Sequence, residues 1–256
     1  MMQPQTDFLA EARRVAEAAR QGGLTLRIMG AVAFRIHCPA NESLHMALGR
    51  EISDLDFVGL RSERRQIEKL MLDLGYSIHE QALVETQGMA PNRIFLYDKR
   101  NSRVVDIFFD ELYMCHKIRF QNRTDADFPT IPLAELLLEK LQIVHLNQKD
   151  IKDAIVLLLE HPIGDDDRES VNGKYIAELL SDDWGFYHTT TENLKRISNA
   201  AKDFKTLSLD QQQTVESRLR ELMSIVEAHP KSSKWKMRAR IGTKMKWYND
   251  VEEIER

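Results

Sequence analysis

The sequence predicts an α/β domain over residues 1–128 followed by a mostly α-helical domain over residues 129–256. Two observations carry this reading. Short apolar runs bounded by Gly, Pro, Asn and Asp alternate with helical stretches in the first half, whereas from Pro132 onward nearly every segment repeats its apolar residues at helical spacing. Between the halves lies Asp125-Ala-Asp-Phe-Pro129-Thr-Ile-Pro132, whose prolines mark a linker. At 256 residues each half is large enough to bury its own core, and 43% apolar with 30% charged residues is the composition of a globular chain.

The elements follow in order. An Ala-rich helix is expected over residues 6–21, then a strand over 24–29 that ends on Gly30 and leads at once into a helix over 31–37. A loop at Cys38-Pro39-Ala-Asn41, expected to overhang the functional site, precedes a strand containing Asp54-Leu-Asp56-Phe57. A helix over 62–74 stops at Gly75, and strands are expected over 76–86, 93–97, 104–109 and, briefly, 116–120. Helices are then expected over 132–147, 149–160, 171–181, 190–204 and 208–228, the first opened by Pro132. Gly164-Asp165-Asp166-Asp167 reads as a solvated loop and N-cap rather than a metal site.

The Asp54-Leu-Asp56 strand carries the chemistry. Side chains alternate along a strand, so Asp54 and Asp56 share a face while Leu55 and Phe57 point into the opposite layer. Two carboxylates on one face repel, and burying them unpaired is costly. A cation, a basic partner or a solvated position relieves this. Hard Mg²⁺ takes carboxylate oxygens together with phosphate oxygens, which makes both residues candidate metal ligands. A strand ending in Gly at a helix N-terminus presents backbone N–H groups and the positive end of the helix dipole, so Gly30 and Ala31 are candidate phosphate contacts. A third acid, Asp106, interrupts the apolar run Arg103-Val-Val-Asp106-Ile-Phe-Phe109. Taken alone it fits a wet sheet face or a partner for Arg93 or Arg103. Beside the Asp54/Asp56 strand it would complete a set of three carboxylates able to hold two ions about 3.5–4 Å apart.

Gly30 at its strand-to-helix turn, Gly49-Arg50-Glu-Ile-Ser53-Asp54-Leu-Asp56-Phe57 and Asp106 together resemble the polymerase-β-like nucleotidyltransferase superfamily. Glu135-Leu-Leu-Leu-Glu139-Lys140-Leu and Lys149-Asp150-Ile-Lys-Asp153 further resemble motifs of the abortive-infection type IV (AbiEii-like) toxin nucleotidyltransferases, and the resemblance covers residues 24–160. It implies an α/β (α+β) nucleotidyltransferase-like domain with a mixed sheet. It also implies Mg²⁺-dependent transfer of NMP from an NTP to an acceptor hydroxyl, with two ions on Asp54, Asp56 and Asp106. Nucleotide contacts would come from Gly30, Ala31, Ser53, Lys140, Lys149 and Asp153, the last of these positioning a lysine. RNA, with a tRNA 3′ end as one candidate, is the favoured acceptor, and an antitoxin protein is a candidate partner. Ala31 departs from the pattern, which has Ser or Gly there and so a hydroxyl or second glycine in the phosphate turn. A small-molecule acceptor, as in antibiotic adenylyltransferases, or a non-catalytic RNA- or protein-binding module on a degenerate scaffold are the alternatives. Without the resemblance, Lys140 fits a solvated helix face, and Asp150 and Asp153 suit the dipole of a first helical turn.

The C-terminal tail interleaves Lys231, Lys234, Lys236, Arg238, Arg240, Lys244 and Lys246 with Trp235, Trp247 and Tyr248. Cations for phosphates and rings for bases make Lys234, Trp235, Lys236, Arg238 and Arg240 candidate RNA contacts. The alternative is a helix whose tryptophans pack on the core while its lysines snorkel. A net charge of −4 gives no general attraction for polyanions, so any such contact must be local. Two isolated cysteines, Cys38 and Cys115, suit a reducing cytoplasm and support neither a disulfide framework nor zinc. No membrane partner is expected, since there is no apolar run of about 18 residues. His188, between Trp184 and the helix that follows, reads as packing.

Overall fold

The computed structural model describes residues 3–78 and 92–251 and divides the chain into two compact units. The first comprises Met1–Pro39, Glu51–Leu112 and Arg119–Pro132; the second comprises Ala40–Arg50, Tyr113–Ile118 and Leu133–Arg256. The first unit thus runs a few residues past the division expected at 128/129. The reason is that the linker is tied to the strand of residues 26–29: the Ile28 N–H donates to Pro129 O (2.9 Å) and the Ile131 N–H to Ile28 O (3.0 Å).

Helix α1 (Phe8–Gln21) opens the first unit, with the Asp7 carboxylate accepting from the Ala10 N–H as its cap. Strand β1 (Leu26–Met29) passes directly into α2 (Gly30–His37). In chain order there follow α3 (Glu42–Ala47), β2 (Asp54–Gly59), α4 (Arg64–Asp73), β3 (Ser77–Ile78), β4 (Arg93–Asp98), β5 (Arg103–Phe109), β6 (Glu111–Tyr113) and β7 (Lys117–Arg119). Most of the strand expected over 76–86 lies outside the described residues. Five strands form one mixed sheet in the order β1-β2-β5-β4-β3. β2 and β5 are parallel, and the other neighbours are antiparallel.

The register decides which side chains share a face. Asp56 is opposite Met29 on one side and Asp106 on the other, while Asp106 is in turn opposite Phe95, and Phe108 opposite Arg93. By alternation, Asp54, Asp56, Asp106, Phe108, Arg93 and Phe95 lie on one face. Leu55, Phe57, Val105, Ile107 and Leu96 lie on the other and are buried, as are Ala12 and Val15 of α1 and Ile67 and Met71 of α4. Burying such a layer supplies most of the unit's stability at about 25 cal/mol per Å² of apolar surface.

The second unit carries α5 (Leu133–Leu141), α6 (Gln148–Glu160), α7 (Gly173–Leu180), α8 (Trp184–Asp203), α9 (Leu209–Ala228) and α10 (Ser233–Ile241), with a short parallel pair β8 (Ile163–Gly164) and β9 (Val171–Asn172). Several boundaries differ from those expected. α5 stops at Leu141 rather than 147 because Asn193 Nδ2 donates to Leu141 O (3.0 Å) and Ile143 O (2.7 Å), taking carbonyls that a continuing helix would bond. Asn147 then caps α6 through the Asp150 N–H. α8 starts at Trp184 rather than 190, because Asp183 accepts from the Phe186 N–H (3.0 Å). The segment expected as an overhanging loop at 38–41 is a single 3₁₀ turn (Pro39–Asn41) leading into α3. Glu160 accepts from Ala40 N–H (3.0 Å) and Asn41 Nδ2 (2.8 Å) and holds it within the second unit. The Asp165–Asp167 run is a loop in which Asp166 accepts from exposed Arg168; it caps no helix, since Asn172 caps α7. Both cysteines are free and buried. Among the described residues no helix is long and apolar enough to cross a membrane.

One buried group in this unit makes stability depend on pH. His116 stacks on Phe186 (4.9 Å between centroids), and its Nε2 lies 2.8 Å from Thr189 Oγ1. Burial pushes its pKa from 6.5 down to about 4, against a smaller opposing pull from Asp183. The unfolded chain therefore takes up the proton first as pH falls, and stability present above about pH 6.5 is lost progressively toward pH 4. Denaturant titrations should show about 2 kcal/mol less stability from this group at pH 5 than at pH 7. His116→Phe should flatten that difference. An unchanged pH dependence in the variant would remove His116 as its source.

Candidate active site

The acids of the first unit meet at the β1–α2 junction. Gly30 adopts φ +64°, a conformation that lets the chain turn straight from strand into helix. A Cβ built on it would fall 2.4 Å from Asp56 Oδ2 and 3.2 Å from Asp56 Cβ. The missing side chain is what allows the Asp56 carboxylate to lie against the N-terminal end of α2, where the helix dipole favours negative charge. Ala31 follows in the first turn, and α2 has no side-chain cap. Asp54 and Asp56 are half-buried, Ser53 is exposed, and the Ser53 hydroxyl donates to Asp54 Oδ1 (3.3 Å).

Asp106 is in register with Asp56 on the neighbouring parallel strand, so all three acids expected from the sequence share one face. It is fully buried, and its Oδ2 accepts from Arg93 Nη2 at 2.5 Å. Arg93 is fixed in turn by two rings, its guanidinium carbon lying 4.2 Å from the Phe95 centroid and 4.5 Å from that of Phe108. Arg103, the other arginine open to Asp106, pairs with Asp98 instead (2.7 Å). Asp106 thus lies beside Asp56 and is the partner of Arg93. Among the described residues no group of three or more His, Cys, Asp or Glu is placed to hold a metal ion. At the third acid of the two-ion centre expected from the sequence stands Arg93. The remaining pair, Asp54 and Asp56, offers hard oxygen donors on a half-exposed face beside a helix N-terminus. That donor set fits a divalent cation shared with a phosphate.

The fit at Gly30 is testable without activity. Gly30→Ala must accept a left-handed backbone, at about 1–2 kcal/mol, and in addition displace Asp56. Gly49 is also left-handed, at φ +62°, with nothing within 4 Å of its missing Cβ. Gly49→Ala should therefore show the backbone cost alone. Denaturant titration should find Gly30→Ala the more damaging of the two; equal losses would mean that Asp56 does not lie against Gly30.

The downstream residues named by the sequence belong to the second unit and form a closed network there. Arg50 donates to Asp153 through Nε (2.8 Å to Oδ1) and Nη2 (3.0 Å to Oδ2). Lys140 Nζ lies 3.3 Å from Asp153 Oδ2 and 3.4 Å from Asp150 Oδ1. Burial opposes the charge on Lys140, but Asp153 and Asp150 outweigh it and hold the ammonium above its ordinary range. Asp153 does position a lysine, and that lysine is Lys140. Lys149 is exposed in the first turn of α6. Arg50 stands in the motif with no role of its own, and nothing local could reveal its partner 103 residues away.

The basic tail divides into packed and exposed groups. Trp235 packs edge-on against Tyr187 (5.1 Å) and Trp247 against Trp184 and His188, so the rings serve packing, as does His188. Arg238 lies over Trp184 (4.8 Å) and donates to Gly242 O (2.7 Å) and Met245 O (2.8 Å). Trp235 and Arg238 are thus engaged within the unit, which the snorkelling alternative describes. Lys234 is exposed but faces Asp182 (3.4 Å), while Lys236, Arg240 and Lys244 are exposed. In the first unit, a separate cavity of about 480 Å³ is lined by Arg61, Ser62, Arg64, Arg65 and Gln66, beyond the Gly59 end of β2 and away from Asp54.

No protein-family model matches the chain, and no curated protein matches it. A solved structure described as a "tRNA-processing enzyme (apo form I)" is similar at a TM-score of 0.28 and 15% identity, over 91% of this chain and 62% of that one. The chain therefore spans less than two thirds of that structure's length. A likeness this low carries no argument about activity.

Proposed function

We propose that the first unit is a Mg²⁺-dependent nucleotidyltransferase centre that transfers NMP from an NTP to an acceptor hydroxyl. The observation that supports it best is the Asp56 carboxylate lying against Gly30 at the start of α2, with Asp54 and Asp106 on the same face. Backbone N–H groups at Gly30 and Ala31 would face the β- and γ-phosphates, and Asp54 and Asp56 would hold the ion. Held there, Mg²⁺ would supply charge neutralisation for the phosphates. The acceptor oxygen attacks the α-phosphorus, its proton passes to a carboxylate of this face, and the bond to the β-phosphate oxygen breaks to release pyrophosphate. Little covalent chemistry falls to the protein, which positions the groups and balances charge.

RNA is the favoured acceptor, because Lys236, Arg240 and Lys244 leave an exposed cationic ridge on the C-terminal segment. Replacing these three by Ala should weaken RNA binding and reduce the log–log salt slope by about 0.7–0.9 for each phosphate no longer neutralised. An unchanged slope would favour a small-molecule or protein acceptor. The motif resemblance extends the proposal to a toxin with an antitoxin partner. A second reading, a non-catalytic module on this scaffold, is favoured by Arg93 at Asp106 and by Ala31 in the phosphate turn. The deciding experiment incubates the protein with each labelled NTP, Mg²⁺ and total RNA, and separates RNA, protein and small-molecule products. Label transfer together with NTP- and Mg²⁺-dependent thermal stabilisation is expected. Neither effect with any NTP would establish the non-catalytic reading.

A further inference from the structure

We infer that Arg93 replaces a second metal ion: the centre takes one divalent cation on Asp54 and Asp56, and the Arg93 guanidinium supplies the second positive charge at Asp106. This rests on the proposed reading of Asp54 and Asp56 as metal ligands.

Three observations converge. The first is placement. Arg93 is opposite Phe108, and Asp106 is opposite Phe95 and Asp56, so the guanidinium and all three acids lie on the same sheet face. The second is commitment. Arg93 Nη2 is 2.5 Å from Asp106 Oδ2, and its side chain is only 21% exposed between the Phe95 and Phe108 rings. The two rings favour the cation and restrict where it can go. The pair is built within the β4–β5 hairpin, its partners 13 positions apart in sequence, so it forms with the sheet itself. The third is charge. By formal charge, three carboxylates and one guanidinium bring these four side chains to −2. A single divalent ion balances that. A second ion at Asp106 would have to expel Arg93 from between its rings or sit next to a fixed positive charge in a poorly solvated position. Arg93 is a positioning and charge-balancing residue on this account. Asp106 acts through it rather than as a metal ligand.

The test counts ions rather than turnover. Mn²⁺ is titrated into the full-length protein and quantified by electron paramagnetic resonance. The wild type should bind one Mn²⁺, and Asp106→Asn should still bind one. Arg93→Met, which keeps an apolar stem between the rings, should bind two, with the exchange-broadened spectrum of neighbouring ions. Arg93→Lys should stay at one. Two ions in the wild type, or loss of the ion in Asp106→Asn, would overturn the inference while leaving the nucleotidyltransferase reading standing. No ion in the wild type, together with none in Asp54→Ala, would overturn the metal reading itself. Asp106→Asn carries the test should Arg93→Met fail to fold.

Discussion

Asp56→Ala is expected to abolish nucleotidyl transfer, lowering kcat by about 10³-fold or more, while leaving the protein folded. Asp56 is the one acid that touches every part of the proposed centre. It is in register with Asp106, shares its strand face with Asp54, and lies against Gly30 where α2 begins. Removing it would take away one of the two proposed metal ligands and leave Asp54 and the α2 backbone amides. The fold should tolerate the change, because removing one of three like charges relieves repulsion. Against this stands the favourable dipole interaction, about 0.3–1 kcal/mol. Asp54→Ala should behave alike. Labelled-NTP incorporation measured beside a urea titration separates the two effects. A variant with near-wild-type turnover in Mg²⁺ and an unchanged urea midpoint would show that this face is not where the metal acts.

Much of this centre is legible in the sequence, because its parts are local. Strand alternation alone places Asp54 and Asp56 together, and Gly30 between an apolar strand and a helix signals a turn at a helix N-terminus. The β2–β5 pairing is not local, but an acid inside Val104-Val-Asp106-Ile-Phe needs an explanation, and its neighbour Asp56 is part of it. What the sequence cannot separate are the two explanations for Asp106, as a third ligand or as the partner of an arginine. The Arg93 pairing depends on hairpin register, which a one-residue slip would reverse. Helix ends escape for a related reason. α5 ends where Asn193, 52 residues downstream, takes the Leu141 carbonyl, and no local signal marks that. The segment over residues 38–41 resembles a loop over the site in sequence because its anchor, Glu160, lies 120 residues from Ala40. The tail's cations and rings are visible in composition, yet which face is packed depends on α8, whose start Gly185 disguises.

Asp153→Ala should be the most destabilising single change in the second unit, by about 3–5 kcal/mol. Asp153 is fully buried, and the Arg50 and Lys140 side chains that it holds are only 9% and 12% exposed. Deleting the carboxylate takes from two poorly solvated cations the partner they share. Lys140→Met should cost far less, since Asp153 keeps its two-point pairing with Arg50. The double variant Asp153→Ala/Lys140→Met should then be more stable than the sum of the single losses, because it removes one of the two cations that shared the carboxylate. Urea titrations of the four proteins measure this coupling directly. The same set weighs the nucleotide-contact role that the Lys140 and Asp153 motif implies. A lysine reserved for triphosphate would, when replaced by Met, raise the KM for NTP with little change in stability and no coupling to Asp153. A loss under about 1 kcal/mol in Asp153→Ala would mean that water reaches the network, and the contact role would then be the better account of these residues.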